Sequence, residues 1–189
     1  MAPIAVYDAC VLFPATLRDL MLRLAAAGLV QPRWSERILD ECFRNIRLKR
    51  PELAESALER TRAKMCAAFP DAMEASEDLP APEITLPDPD DVHVLATALA
   101  AGASSIVTFN LRDFPARALG PLGIQSVHPD DFVLARIEEA PGLVCAVIEG
   151  QALALRNPPT TSRILAARLS GQGLPRSAAR ITDLLGSTD

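Results

Sequence analysis

Apolar and polar positions switch between two periods along this chain, and the switching divides it into strands and helices. Residues 3–7 form a short apolar run rich in β-formers and predict a buried first strand. Pro14 then opens a helix with apolar positions at Leu17, Leu20, Met21 and Leu24, which Gly28 stops. Val30-Gln31-Pro32 reads as a connection. After it, Ser35 caps a second helix that runs toward Arg50, with Glu36 in its first turn. A third helix is expected from Pro51 through Leu53, Ala57, Leu58, Met65 and Phe69. Residues 70–89 are rich in Pro and acid, with Glu83-Ile84-Thr85-Leu86 as a candidate strand. Asp88-Pro89-Asp90-Asp91 opens a helix to Ala101, stopped by Gly102. Ser105-Ile106-Val107-Thr108 is the clearest later strand, and residues 123–127 give a third that ends at His128-Pro129.

Strands alternating with helices imply an α/β fold, with a short parallel sheet covered by helices on both faces. The remainder is different. Residues 140–155 read as a helix, Asn157-Pro158-Pro159 as a break, and residues 161–169 and 174–185 as two short amphipathic helices. The expected division is a first domain at 1–135 and a C-terminal helical extension at 136–189.

A length of 189 residues suits one domain with an appendage. The opening Met-Ala-Pro-Ile-Ala-Val-Tyr-Asp has no basic leader, and no run reaches the roughly 18 apolar residues of a membrane span. The expectation is a cytoplasmic protein with no membrane partner. Cys10, Cys42, Cys66 and Cys145 form no CxxC pair, and His93 and His128 are the only histidines. That argues against structural zinc and for reduced core thiols. The net charge of −5 argues against a uniformly phosphate-neutralising surface. Its distribution is uneven. Residues 71–91 hold eight acids and no base, and residues 33–64 hold nine bases against six acids. An acidic centre flanked by basic segments suits a metal-dependent enzyme acting on a polyanion, although solvated helix faces account equally well for the basic segments.

Four acids stand in places that ask for an explanation. Asp8 ends the first strand, and ligands of parallel α/β sheets gather beyond strand carboxyl ends; a turn or N-cap role explains it equally. On a helix, Trp34, Ile38, Glu41, Asn45 and Leu48 share a face, which sets a carboxylate in an apolar stripe, unless Glu41 reaches solvent or pairs with Arg37 or Arg44. Asp91 shares a face with Val94, Leu95 and Ala98, although the first turn of a helix favours acids in any case. One of Asp88, Asp90 and Asp91 suffices as a cap. Thr108, Asn110 and Asp113 follow a strand exit, where Asn110 capping a short helix is the plainer alternative. A cluster built of oxygens without His or Cys suits Mg²⁺ or Mn²⁺ and points to phosphodiester hydrolysis.

The order and wording of these segments resemble the PIN-domain ribonucleases of the VapC-like toxin type. Val6-Tyr7-Asp8-Ala9-Cys10-Val11-Leu12 resembles the opening strand with its first metal acid, and Ser35-Glu36-Arg37-Ile38-Leu39-Asp40-Glu41 the helix carrying the second. Residues 90–98 resemble the Asp-x-x-(Ile/Val)-x-Ala-x-Ala helix, and residues 106–114 the T-x-N/D-x-x-D-F segment. The match spans roughly residues 3–132, and the tail resembles the extension of a longer subgroup. The resemblance implies a PIN-like three-layer sandwich and an Mg²⁺- or Mn²⁺-dependent endoribonuclease. Asp8, Glu41, Asp91 and Asp113 are its implied catalytic and metal-holding acids, with water attacking in line at phosphorus. Thr108 and Asn110 are implied as supporting groups, and Arg37, Arg44 and Arg112 as phosphate contacts. RNA as substrate, a cognate antitoxin and a homodimer follow on the same ground. Many members carry Asp where this chain has Asn110, which keeps a second reading open: an inactive PIN scaffold that binds RNA or a protein partner. A phosphoryl-transfer enzyme with Asp8 as acceptor fits less well, because Cys10 stands where a second acid is wanted and no Gly-rich P-loop is present.

Overall fold

The computed structural model describes residues 2–75, 84–156 and 158–186. In chain order its elements are β1 (Ile4–Tyr7), α1 (Ala9–Leu12), α2 (Ala15–Ala26), β2 (Gln31–Arg33), α3 (Glu36–Lys49), α4 (Glu55–Ala68), α5 (Val92–Ala100), β3 (Ser105–Val107), α6 (Ala116–Leu119), β4 (Gln125–Val127), α7 (Pro129–Glu139), α8 (Pro141–Ala154), α9 (Ser162–Gly171) and α10 (Pro175–Gly186). Short 3₁₀ turns lie at Pro70–Ala72, Pro89–Asp91 and Gly120–Leu122. Among the described residues no helix is long and apolar enough to cross a membrane.

The chain forms two compact units: Met1–Phe13 with Gln31–Val127, and Pro14–Val30 with His128–Asp189. This differs from the sequential split at 135, because α7 runs through that point and α2 belongs with the C-terminal helices.

The first unit is built on a parallel four-stranded sheet of order β2-β1-β3-β4. Val6 pairs with both Arg33 and Ile106, so β1 is central, and Ala5, Val6 and Tyr7 are fully buried. From β1 the chain moves out to β2, then returns past β1 to β3 and β4. The connections therefore diverge between β1 and β3, a topological switch point whose carboxyl edge is the usual place for a ligand in an open parallel sheet. Helix α5 packs on β1 and β3, and α3 packs on α1 and α5. Both helices are thereby fixed around that edge.

Four expectations need correction. The connection at 31–33 is a strand. Pro32 lacks the N–H of a central strand residue but is tolerated here, because β2 ends the sheet order. The third helix starts at Glu55 instead of Pro51. Arg50, kept out of the helical region by the following proline, ends α3, and Leu53 N–H closes a turn on its carbonyl at 3.0 Å. Residues 84–86 are not a strand, and residue 83 of that candidate, like Asn157 of the expected break, lies outside the described residues. All four cysteines are thiols outside any disulfide, but only Cys42 is a core residue; the others are partly exposed.

The second unit is helical. Leu17, Leu20, Met21 and Leu24 form the buried face of α2, which packs against α8 and α9. Gln151 on α8 donates to the Thr16 carbonyl at 2.9 Å. Asp130, in the first turn of α7, is buried and accepts from the backbone N–H groups of Arg176 at 3.0 Å and Ser177 at 2.8 Å. Its carboxylate thus caps a different helix, α10, where unpaired N–H groups and the helix dipole favour an anion.

Candidate active site

Asp8 follows β1 directly, and its N–H extends the ladder to the Val107 carbonyl at 3.1 Å. It takes the N-cap position of α1, but its side chain makes no capping bond. Instead Asp8 Oδ2 accepts from Thr108 Oγ1 at 2.6 Å and from Cys10 Sγ at 3.0 Å. Thr108 follows β3, so this buried bond spans the switch point between neighbouring strands. Thr108 Oγ1 also accepts from Asn110 N–H at 2.9 Å, and Cys10 Sγ from Phe109 N–H at 3.3 Å. Asp8 is only 4% exposed. Burial, reinforced by the Asp8 charge, drives the Cys10 thiol pKa far up, so the sulfur stays a neutral donor.

Helix α3 brings Glu41 to the same region. Ser35 caps it, its Oγ accepting from Ile38 N–H at 3.4 Å. The buried stripe is Ile38, Leu39, Cys42, Phe43 and Ile46; Leu48 is 73% exposed and Trp34 lies before the helix. The expected stripe was therefore wrong in phase, and Glu41 sits at the margin of the buried face, where the helix meets the crevice. Burial raises its pKa first and the Asp8 charge second, while Arg44 and Arg37 oppose the rise.

Asp91 ends the 3₁₀ turn that leads into α5. Asp88 does the capping, accepting from Asp90 N–H at 2.9 Å, and Asp91 makes no capping bond. Its pKa is raised to about 7, first by burial, then by the charges of Asp8, Asp88, Asp113 and Glu41. Four other carboxylates therefore act on Asp91 at the carboxyl edge of the sheet.

Arg37, Asp40, Glu41, Arg44, Asp88, Asp90, Asp91, His93 and Asn110 line a cleft of about 510 Å³. Glu41, Asp91, Asn110, Arg37 and Arg44 are thus brought together from the expected set. Asp8 and Thr108 do not line the cleft, although the Asp8 charge acts on the acids that do. Asp113 reaches Asp91 through its charge, and its N–H closes a turn on the Asn110 carbonyl at 3.0 Å. Asn110 precedes that turn and caps no helix; α6 begins later, at Ala116. Arg112 is exposed and is not part of the lining. Sequence reasoning missed Asp40 and His93, and gave Cys10 no contact. Position 10 lies two residues beyond Asp8, which was the available signal for the sulfur. Burial lowers the His93 pKa and favours the neutral ring.

A PIN-domain family model matches residues 5–112, the segment that carries β1, the cleft and the loop after β3. The chain belongs to the PIN-domain family. A second family model, the VapC50 C-terminal domain, matches residues 129–183 of this PIN protein. A curated relative, "Putative ribonuclease VapC50" of Mycobacterium tuberculosis (strain ATCC 25618 / H37Rv), is 41% identical over 97 residues, covering 51% of this chain and 57% of the relative. The PIN protein thus matches little more than half the length of that relative. No solved structure matches the chain.

Proposed function

We propose that this PIN protein is a divalent-metal-dependent endoribonuclease of the VapC toxin type, held in check by a cognate antitoxin. The observation that carries the proposal is the state of Asp91: a carboxyl whose pKa is raised to about 7, first by burial and then by the charges of four other acids. Such crowding is unfavourable for a bare protein and favourable for one that binds a cation. The donor set fits Mg²⁺ or Mn²⁺, being rich in carboxylate oxygen. Among the described residues no three acids, histidines or cysteines already stand close enough to hold an ion.

In this reading Asp8, Glu41, Asp91 and Asp113 hold the ion, which would neutralise charge at phosphorus and activate water. Thr108 fixes Asp8 by a 2.6 Å bond and so sets which carboxylate oxygen remains free. Arg37 and Arg44 place positive charge on the cleft wall beside the acids, suited to an RNA phosphate. Asn110, uncharged and on the wall, would contact the substrate. The relative's name, the family and the acidic cleft all support RNA as substrate. The antitoxin and a homodimer rest on the resemblance alone. The test is cleavage of RNA by purified protein with Mg²⁺ or Mn²⁺, against the Asp91→Asn variant and a chelator control. Cleavage by the wild type that both controls abolish is expected; metal-independent or Asp91-independent cleavage would refute the proposal.

A further inference from the structure

One group in the cleft has no place in an all-oxygen site. The His93 side chain is only 10% exposed, its Nε2 is buried without a hydrogen-bond partner, and the residue lines the cleft wall. A buried nitrogen without a partner is destabilising, and a ligand on Nε2 would relieve it. The ring is also held in one orientation. His93 Nδ1 lies 2.7 Å from the Asp90 carbonyl oxygen. A carbonyl only accepts, so Nδ1 carries the hydrogen, and in the neutral ring the lone pair is on Nε2. Metal-binding histidines are set up this way, with the second ring nitrogen donating to a carbonyl or carboxylate.

Glu41 Oε2 lies 3.7 Å from Nε2. That is too long for a hydrogen bond. Neighbouring donors of an octahedral ion at about 2.2 Å stand roughly 3.1 Å apart, so a side-chain adjustment of about half an ångström lets both atoms reach one cation. We propose that His93 Nε2 is a nitrogen ligand of the divalent cation in this cleft, paired with Glu41, so that the site takes Mn²⁺ ahead of Mg²⁺. Imidazole nitrogen favours transition ions, whereas Mg²⁺ favours oxygen. The proposal rests on the reading of the cleft as a cation site and adds a donor that the acid cluster does not supply.

The test is pulsed electron paramagnetic resonance of Mn²⁺ bound to the RNA-free protein. His93 and His128 are the only histidines, which makes the assignment simple. The expected result is nitrogen coupling that responds to ¹⁵N-histidine labelling, persists in His128→Gln and disappears in His93→Gln. By calorimetry, His93→Gln should weaken Mn²⁺ binding at least about tenfold, the loss caused even by removing an outer partner of a ligand, and affect Mg²⁺ much less. Circular dichroism checks that the variant folds, and the labelled wild type stands as evidence if it does not. Absent Mn²⁺ binding, Mn²⁺ without nitrogen coupling, coupling lost in His128→Gln, or equal loss of both metals would overturn the proposal. RNA cleavage by the wild type in Mg²⁺, abolished in Asp91→Asn, separately decides the ribonuclease reading.

Discussion

The Asp91 carboxyl changes charge near neutral pH, and two consequences follow. Its folded pKa of about 7 lies above the roughly 3.9 of an unfolded chain, so the carboxylate opposes folding progressively from about pH 4 to pH 7 and fully above. Asp91→Asn should therefore raise the melting temperature at pH 8, by about 2–4 °C for each kcal/mol of repulsion removed, and leave it unchanged at pH 4. Cation binding needs the charged form. Mg²⁺ affinity should thus climb with pH until about 7 and level off above, with a proton released on binding below it; calorimetry at pH 6.5 in two buffers of different ionisation heat would show the release. Thr108 gives a third test. Thr108→Val strips a 2.6 Å bond from a buried carboxylate and should cost about 1.5–3 kcal/mol in urea unfolding, while Thr108→Ser should retain most of it. Asp8 and Asp91 could be singled out in the sequence because a strand exit and a surplus of capping acids are local signals. The Asp8–Thr108 bond could not, since its partners are 100 residues apart. His93 was weighed only as a zinc ligand, because nothing local in the sequence shows that its side chain lines the cleft.

At the level of elements, the caps decide where the acids point. Ser35 starts α3, and Ser35→Ala should lower stability by about 1 kcal/mol and displace Glu41, visible as weaker metal binding, whereas Ser35→Asn should restore both. The stops were as legible as the starts: Gly102 takes φ +58°, a backbone region that a side chain would strain, just where the helical period ends. What the pattern concealed was β2. A three-residue Gln-Pro-Arg strand has no alternation to read, and its proline argues for a turn; only its pairing with β1 makes it a strand. The helical phase of α3 was also misread, because Trp34 was counted on a helix that begins only at Glu36.

At the scale of the molecule, the C-terminal helices and α2 are one structure, and Asp130 is its clasp. Burial raises the Asp130 pKa, but hydrogen bonds from Ser177 and from the Arg176 N–H outweigh it and leave the pKa lowered. The stability it contributes is therefore present above the unfolded value of about 3.9 and is lost as pH falls through the lower folded value. Asp130→Ala should loosen α10 at neutral pH, seen as faster amide exchange in residues 175–186, with the difference from wild type shrinking in acid. The pairing of α2 with α8 and α9 also sets an order of events during synthesis. A ribosome completes α2 roughly 100 residues before it begins to make the helices that cover it, some 5–20 s at usual elongation rates. During that interval Leu17, Leu20, Met21 and Leu24 have no native cover within their unit.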